Sequence, residues 1–335
     1  MLGKDYMAAG AAGKLMNGYL APTGTNCDVD AKNIPALADA KPEKQVWSET
    51  KNVILMIGDG MGRNHVLAAI ANGKLDRWYG DSFPGQAYCT TASRSVQLGK
   101  KTYTDSAAAA TALATGYKTI NGYIGVDENQ KSVKSVRELA NEIGAKTSII
   151  TTDVITGATP AGFLAHDSSR DSTDAIQKQI DKCMAEGTVQ YCKGSLGDKL
   201  FASTRESLTL ISGNGSRFFT MIEEAYPDKG SHNNDMAKSM TGVVRLNDSV
   251  KYAAAFVMMH PDTALLITAD HETGGITLKN DTYTYTETNH TNRDVPVYGI
   301  GAGVEDFLAS GKIDNLDISR FIAKAYGAET WGQKK

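Results

Sequence analysis

The run Val53-Ile54-Leu55-Met56-Ile57 carries no polar side chain and stops on Gly58-Asp59-Gly60. A strand with one wet face alternates apolar and polar residues. An unbroken run is apolar on both faces, as in the central strand of a parallel sheet covered by helices on each side. Phe218–Ile222 and Ala264–Ala269 are largely apolar runs of the same kind, and they stop on Glu223 and Asp270. Ligands of open α/β sheets gather in the crevice outside the carboxyl ends of the strands. Carboxylates and imidazoles emerging there are therefore expected to converge on one polynuclear metal site.

Helical patterns separate these runs. Residues 62–72, 132–142, 174–186, 196–210, 235–259 and 317–326 are predicted as helices, and 147–152 and 295–300 as further strands. The alanine-rich stretch 107–115 is a strong helix former, with Thr104, Asp105 and Ser106 as capping groups before it and Gly116 as its stop, which places Ser106 at a helix N-terminus. Asn121-Gly122 and Asp127-Glu128-Asn129 mark a polar, hairpin-like segment, and Ser195 is placed as the cap of the helix over 196–210. The alternation predicts an α/β fold: a doubly wound, mostly parallel central sheet flanked by helices. Residues 1–47 read as an N-terminal arm, 48–330 as a single domain and 331–335 as a tail.

With 335 residues, 41% of them hydrophobic, the chain can bury a sizeable core. A formal net charge of -3 and no cluster of lysine and arginine argue against a nucleic-acid or anionic membrane partner and leave small soluble substrates as the default. No stretch reaches the roughly 18–20 apolar residues of a membrane span. Lys4 and Lys14 interrupt residues 1–20, so no secretory signal is expected within this chain. The four cysteines form no C-x-x-C pair; Cys183 and Cys192 would either bridge a short loop, if the protein is exported, or remain thiols.

Glu223, Asp228 and His232 lie five and four residues apart after a strand end, a set that suits zinc if the imidazole joins and magnesium if only the oxygens do. A solvated acidic turn would look similar. Asp270-His271 stands at the tip of a buried run, where an unpartnered charge is costly, unless the aspartate merely caps the next turn. His290 is unremarkable alone. Asp105-Ser106 is either a plain N-cap or, with metal nearby, a nucleophile beside free backbone N–H groups suited to phosphate. Arg170 is either a surface residue or a fork for two phosphate oxygens. His65, His166 and His260 read as packing or surface residues.

Together these residues resemble the alkaline phosphatase family. The matching strings are Lys51–Gly62, Thr104–Ala112, Ala158-Thr159-Pro160-Ala161 with Ala165-His166 and Arg170, Phe218–Glu223, Asp228-Lys229 with His232, Thr268–Gly275 and His290-Thr291, covering about residues 48–176 and 214–328 in the family's order. The resemblance implies one zinc held by Asp228, His232 and His290, a second held by Asp59, Asp270 and His271, and magnesium held by Asp59, Thr159 and Glu223. It implies Ser106 as the nucleophile, Arg170 as the phosphoryl clamp oriented by Asp105, and Lys229 as a group reaching phosphate through water. The implied substrates are small-molecule phosphate monoesters, with inorganic phosphate as product, a periplasmic or secreted location, and a possible homodimer.

The chain departs from the family's pattern at several points. Gly157 stands where many relatives have Asp or His, which predicts a weaker or altered magnesium site. Glu224 is expected to crowd Glu223. The segment 187–214 is short and 18 residues separate His271 from His290, so the accessory crown is expected to be small or absent. Rival readings are a phosphodiesterase of the same superfamily, a sulfatase, and a non-catalytic metal or phosphate binder.

Overall fold

In the computed structural model the described residues are 46–333; all but the last two residues of the expected N-terminal arm lie outside them, as do Cys27 and the last two residues of the tail. The strands are β1 (Asn52–Gly58), β2 (Gly85–Thr90), β3 (Lys146–Thr151), β4 (Tyr191–Lys193), β5 (Phe218–Glu224), β6 (Thr263–Thr268), β7 (Glu272–Thr273), β8 (Thr277–Lys279), β9 (Thr282–Thr284), β10 (His290–Thr291), β11 (Val295–Gly301) and β12 (Lys312–Asp314). Eight of them form one sheet in the order β12-β2-β11-β6-β1-β5-β3-β4. The apolar run β1 is buried along its whole length and pairs in parallel with the two other apolar runs, Val53 opposite Phe219 on one side and Ala264 on the other. Ile57 is therefore level with Glu223 and Thr268, and Glu223 is level with Thr151 of β3. Register alone brings the carboxyl ends of four neighbouring strands, and the turns that leave them, to one rim.

The helices are α1 (Arg63–Ala71), α2 (Arg94–Gln97), α3 (Ser106–Thr115), α4 (Val136–Glu142), α5 (Ala158–Leu164), α6 (Thr173–Ala185), α7 (Leu200–Ser212), α8 (Tyr226–Ser231), α9 (Met236–Met259), α10 (Val304–Leu308) and α11 (Asn315–Ala325). Both sheet faces are covered. Phe218 packs on Phe256 of α9 with ring centroids 5.9 Å apart, while its neighbour Phe219 stacks on Phe163 of α5, also at 5.9 Å. Adjacent strand residues point to opposite faces, so this pair reads out both apolar layers at once. All ten residues of α3 are buried, and its alanines allow a close approach: a Cβ on Gly162 of α5 would come within 2.8 Å of the Ala110 side chain. Gly116 ends α3 in the left-handed region, as the stop signal implied.

Several expectations are corrected. The helix expected over 132–142 starts at Val136, because Ser135 and Glu138 form a reciprocal capping box and Ser132 bridges to Val126 instead. The hairpin-like segment is a turn at Asn121-Gly122 with isolated bridges rather than paired strands. Ser195 has φ 55° and caps nothing; the helix there is α7, beginning at Leu200 after a short 3₁₀ turn. β2, β4 and β12 were not anticipated, being short or, in β2, alternately buried and exposed. β11 is antiparallel to both neighbours, and β12 comes after it, so Val295–Gly301 is not the last strand. Between His271 and His290 the chain makes only the small β8–β9 hairpin and the β7–β10 pair, in line with a reduced crown.

Cys183 and Cys192 are unbridged thiols, with burial pushing Cys192 up to about 12. None of the three unassigned histidines is a bare surface group. His260 stacks on Phe256 at 3.8 Å; His65 is buried with its Nε2 2.8 Å from the Ser231 hydroxyl; His166 ties the Gly125 carbonyl to Glu138, whose carboxylate raises the imidazole pKa.

Candidate metal centre and nucleophile

Tight turns deliver the charged groups to the rim. After β1 the chain turns at Gly60, φ 67°, where a Cβ would come within 2.8 Å of the Asp228 backbone, so only glycine admits α8 this close. Asp270 Oδ1 accepts from the Gly60 and His271 amides at 3.0 and 2.9 Å and locks the β6 turn to the β1 turn. Asp228 and His232 sit one helical turn apart on α8 and just after it, and His290 lies on β10 opposite Thr273. Asp105 is the N-cap of α3: one carboxylate oxygen accepts from Ala108 N at 3.0 Å, and the other from Gly122 N at 2.9 Å and Arg170 Nη1 at 3.2 Å. The capping reading and the orienting reading of Asp105 thus describe the same geometry.

The hydrogen bonds also fix three histidine tautomers. His232 Nδ1 donates to the Thr288 carbonyl at 2.7 Å and His290 Nδ1 to the Thr104 carbonyl at 2.8 Å. The Thr273 hydroxyl donates to Asp228 Oδ1 at 2.6 Å, which leaves its oxygen to accept from His271 Nδ1 at 3.2 Å. Each neutral ring therefore turns a bare Nε2 lone pair inward. His232 Nε2 and His290 Nε2 face each other at 3.1 Å, and both approach Asp228 Oδ1, at 3.3 and 3.6 Å. His271 Nε2 lies 3.1 Å from Asp270 Oδ2, 3.6 Å from Asp59 Oδ1 and 3.1 Å from the Ser106 hydroxyl oxygen. Lone pairs and carboxylates pointed at one another repel unless a cation or extra protons lie between them.

Two triplets meet metal-ligand spacing: Asp228, His232 and His290, and Asp59, Asp228 and His271. Asp228 faces both, whereas the sequence reading gave it to the first only and placed Asp270 in the second. Asp59 Oδ1 and Asp270 Oδ2 are buried and make no hydrogen bond. Without metal the cluster strains its protonation. Burial, then Asp270, Asp228 and Glu223, push the Asp59 carboxyl well above the usual range. Burial lifts Glu223 to about 8, although the Thr151 hydroxyl donates to it. Asp228 is held low despite its burial, because in the metal-free cluster protons taken up by His232 and His271, both raised by neighbouring carboxylates, face it in place of a cation. The donor set fits zinc at the nitrogen-bearing triplets. Glu223, Asp59 and the buried Thr159 hydroxyl, which lies beside Glu223, make an all-oxygen set that fits magnesium.

Glu224 does not crowd Glu223. It points to the other face of β5, where its carboxylate accepts from the Thr152 hydroxyl at 2.9 Å and Tyr226 N at 3.0 Å. Lys229 is half-exposed and turns to Asp153 rather than into the cluster. Asp153 and Thr273 were missed by sequence reasoning. The only available signals were an acidic residue just past a strand end and a hydroxyl two residues after His271.

The alkaline phosphatase family model matches residues 50–200 and 197–287. Alkaline phosphatase 4 of Bacillus subtilis (strain 168) is 31% identical over 304 residues, which are 71% of this chain and 65% of that protein. The alkaline phosphatase of Escherichia coli (strain K12) is 36% identical over 188 residues, 55% of this chain and 38% of that protein. The chain therefore spans only part of either relative's length. Among solved structures, alkaline phosphatase from the Antarctic bacterium TAB5 superposes with TM-score 0.75 at 25% identity, covering 83% of this chain and 99% of that one. The Thermus thermophilus alkaline phosphatase shares the fold at TM-score 0.71 and 15% identity, covering 94% of this chain and 97% of that one. With the family model matching well over half of its length, this chain belongs to the alkaline phosphatase family.

Proposed function

We propose that the protein is a metal-dependent phosphomonoesterase, hydrolysing small phosphate monoesters to an alcohol and inorganic phosphate in alkaline solution outside the cytoplasm. The observation that carries this reading is the Ser106 hydroxyl 3.1 Å from His271 Nε2, at the edge of a buried cluster in which Asp59 Oδ1 and Asp270 Oδ2 have no hydrogen-bond partner. Asp228, His232 and His290 would hold one zinc, Asp59, Asp270 and His271 the second, and Asp59, Thr159 and Glu223 magnesium. When bound, the metals supply Lewis acidity that lowers the pKa of the serine hydroxyl and of water and screens the leaving oxygen.

Ser106 opens α3, so a phosphoryl group seated on it meets free backbone N–H groups and the positive end of the helix dipole. The serine oxygen attacks phosphorus in line with the departing alcohol; water then cleaves the phosphoserine ester, freeing phosphate and restoring Ser106. Arg170 is tethered to Asp105 through Nη1, which leaves its remaining donors free to fork two non-bridging oxygens. A diester has one ionised non-bridging oxygen fewer, so this fork favours monoesters.

Arg170→Ala is accordingly expected to lower kcat/KM for p-nitrophenyl phosphate about 10- to 100-fold, the equivalent of losing one or two charge-assisted hydrogen bonds. Hydrolysis of bis-p-nitrophenyl phosphate should change far less. Parallel assays of the two esters check this; an equal loss on both, or a parent that prefers the diester, would favour the phosphodiesterase reading.

A further inference from the structure

The geometry points to Asp153 as the residue that completes the surroundings of the magnesium position and holds Lys229, from a place in the chain that the family's motif does not mark. Position 157, just before α5, carries no side chain. A Cβ built there would come within 2.8 Å of Asp153 Oδ2 and 3.2 Å of Asp153 Cγ. The carboxylate that fills this space is thus delivered from the end of β3, four residues upstream. Gly157 leaves room for it and for the Val154 carbonyl oxygen, which the same Cβ would meet at 2.9 Å.

Three contacts hold the carboxylate there. The Asp153 amide donates to the Thr151 hydroxyl oxygen at 2.8 Å, and that hydroxyl in turn donates to Glu223. Val154 N donates to Asp153 Oδ1 at 2.7 Å, fixing the rotamer, and the Lys229 ammonium donates to the same oxygen. Oδ2 lies beside the Gly157 backbone, and the charge of Asp153 bears on Glu223 at the end of β5. Magnesium is reluctant to dehydrate and keeps several waters, so a carboxylate beside its protein ligands acts by accepting from those waters. This inference rests on the proposed metal site and opposes the expectation that Gly157 weakens its third position. Asp153 is a positioning residue: it touches neither substrate nor the reacting oxygen.

The test uses zinc-loaded protein titrated with Mg²⁺ by calorimetry, comparing the parent with Asp153→Asn, Asp153→Ala and the relocated pair Asp153→Ala/Gly157→Asp. Asparagine keeps the turn bond from Val154 N, so a purely structural role predicts unchanged magnesium affinity in that variant. The expected result is magnesium binding weakened at least about tenfold in both single variants, with zinc content unchanged, and recovery to within about threefold when the carboxylate returns at position 157. Single variants that bind Mg²⁺ within threefold of the parent would overturn the inference, as would weakening that the relocated carboxylate fails to reverse. A parent that takes up no magnesium would instead remove the metal reading on which it stands, and the inference with it.

Discussion

Ser106→Ala is expected to lower kcat for p-nitrophenyl phosphate by at least about 1,000-fold, the scale seen when a covalent nucleophile is removed from an otherwise intact site. The fold should be unaffected. Ser106 is the first residue of an all-buried helix whose N-cap is Asp105, so its hydroxyl is not needed to start α3, and alanine is the best helix former. Its oxygen contacts His271 Nε2, a nitrogen whose tautomer is set independently by Thr273, so the metal ligands keep their orientation without it. Zinc content and melting temperature should therefore match the parent, and rapid-quench capture of a phosphorylated chain should be lost together with turnover. An alanine variant that retains more than a tenth of parental turnover would exclude the covalent route.

Asp59→Asn should move activity and stability in opposite directions. Asp59 is assigned to two metals, so exchanging a charged oxygen for an amide is expected to cost at least about 100-fold in activity and to lower zinc and magnesium uptake. In metal-free protein the sign reverses. The Asp59 carboxyl is raised by burial and three neighbouring carboxylates, and a group whose folded pKa exceeds its unfolded value of about 3.9 costs stability once it ionises in the unfolded chain. That cost is absent below pH ~4 and grows as pH rises toward the folded pKa. Asparagine has the same shape and no charge. Chelated Asp59→Asn should melt above the chelated parent at about pH 8 and level with it near pH 4, whereas added zinc should raise the parent's melting point more than the variant's. A chelated variant that melts below the parent at the higher pH would mean Asp59 is paired by something other than metal.

The sequence displays the centre of this molecule better than its edges, for physical reasons. β1, β5 and β6 are apolar on both faces, so their patterns have no competing interpretation, and the acidic residues that end them were placed at one rim from that fact alone. β2, β4 and β12 lie toward or at the sheet's margins and are short or half wet, and the antiparallel direction of β11 leaves no trace in a run of buried residues. Ser195 looked like a cap because caps are recognised by residue type, while its positive φ is set by the turn it occupies. At the site, the residue-type and spacing arguments reached Asp59, Asp228 and His271, but they could not reach contacts that depend on which way a side chain turns. Lys229 turns to Asp153, Thr273 fixes His271, and Glu224 points away from Glu223; each arises from β-strand parity or a loop hydrogen bond rather than from a motif.

The central claim is that Ser106 works inside a cluster whose inward-facing nitrogens and oxygens are there to hold cations. Metal content per chain, measured by mass spectrometry before and after chelation while hydrolysis of p-nitrophenyl phosphate is tracked, tests it most directly. The account predicts about two zinc ions and one magnesium per active chain, loss of turnover on chelation, and its return with zinc and further gain with magnesium. Undiminished turnover by protein freed of divalent metal would contradict it.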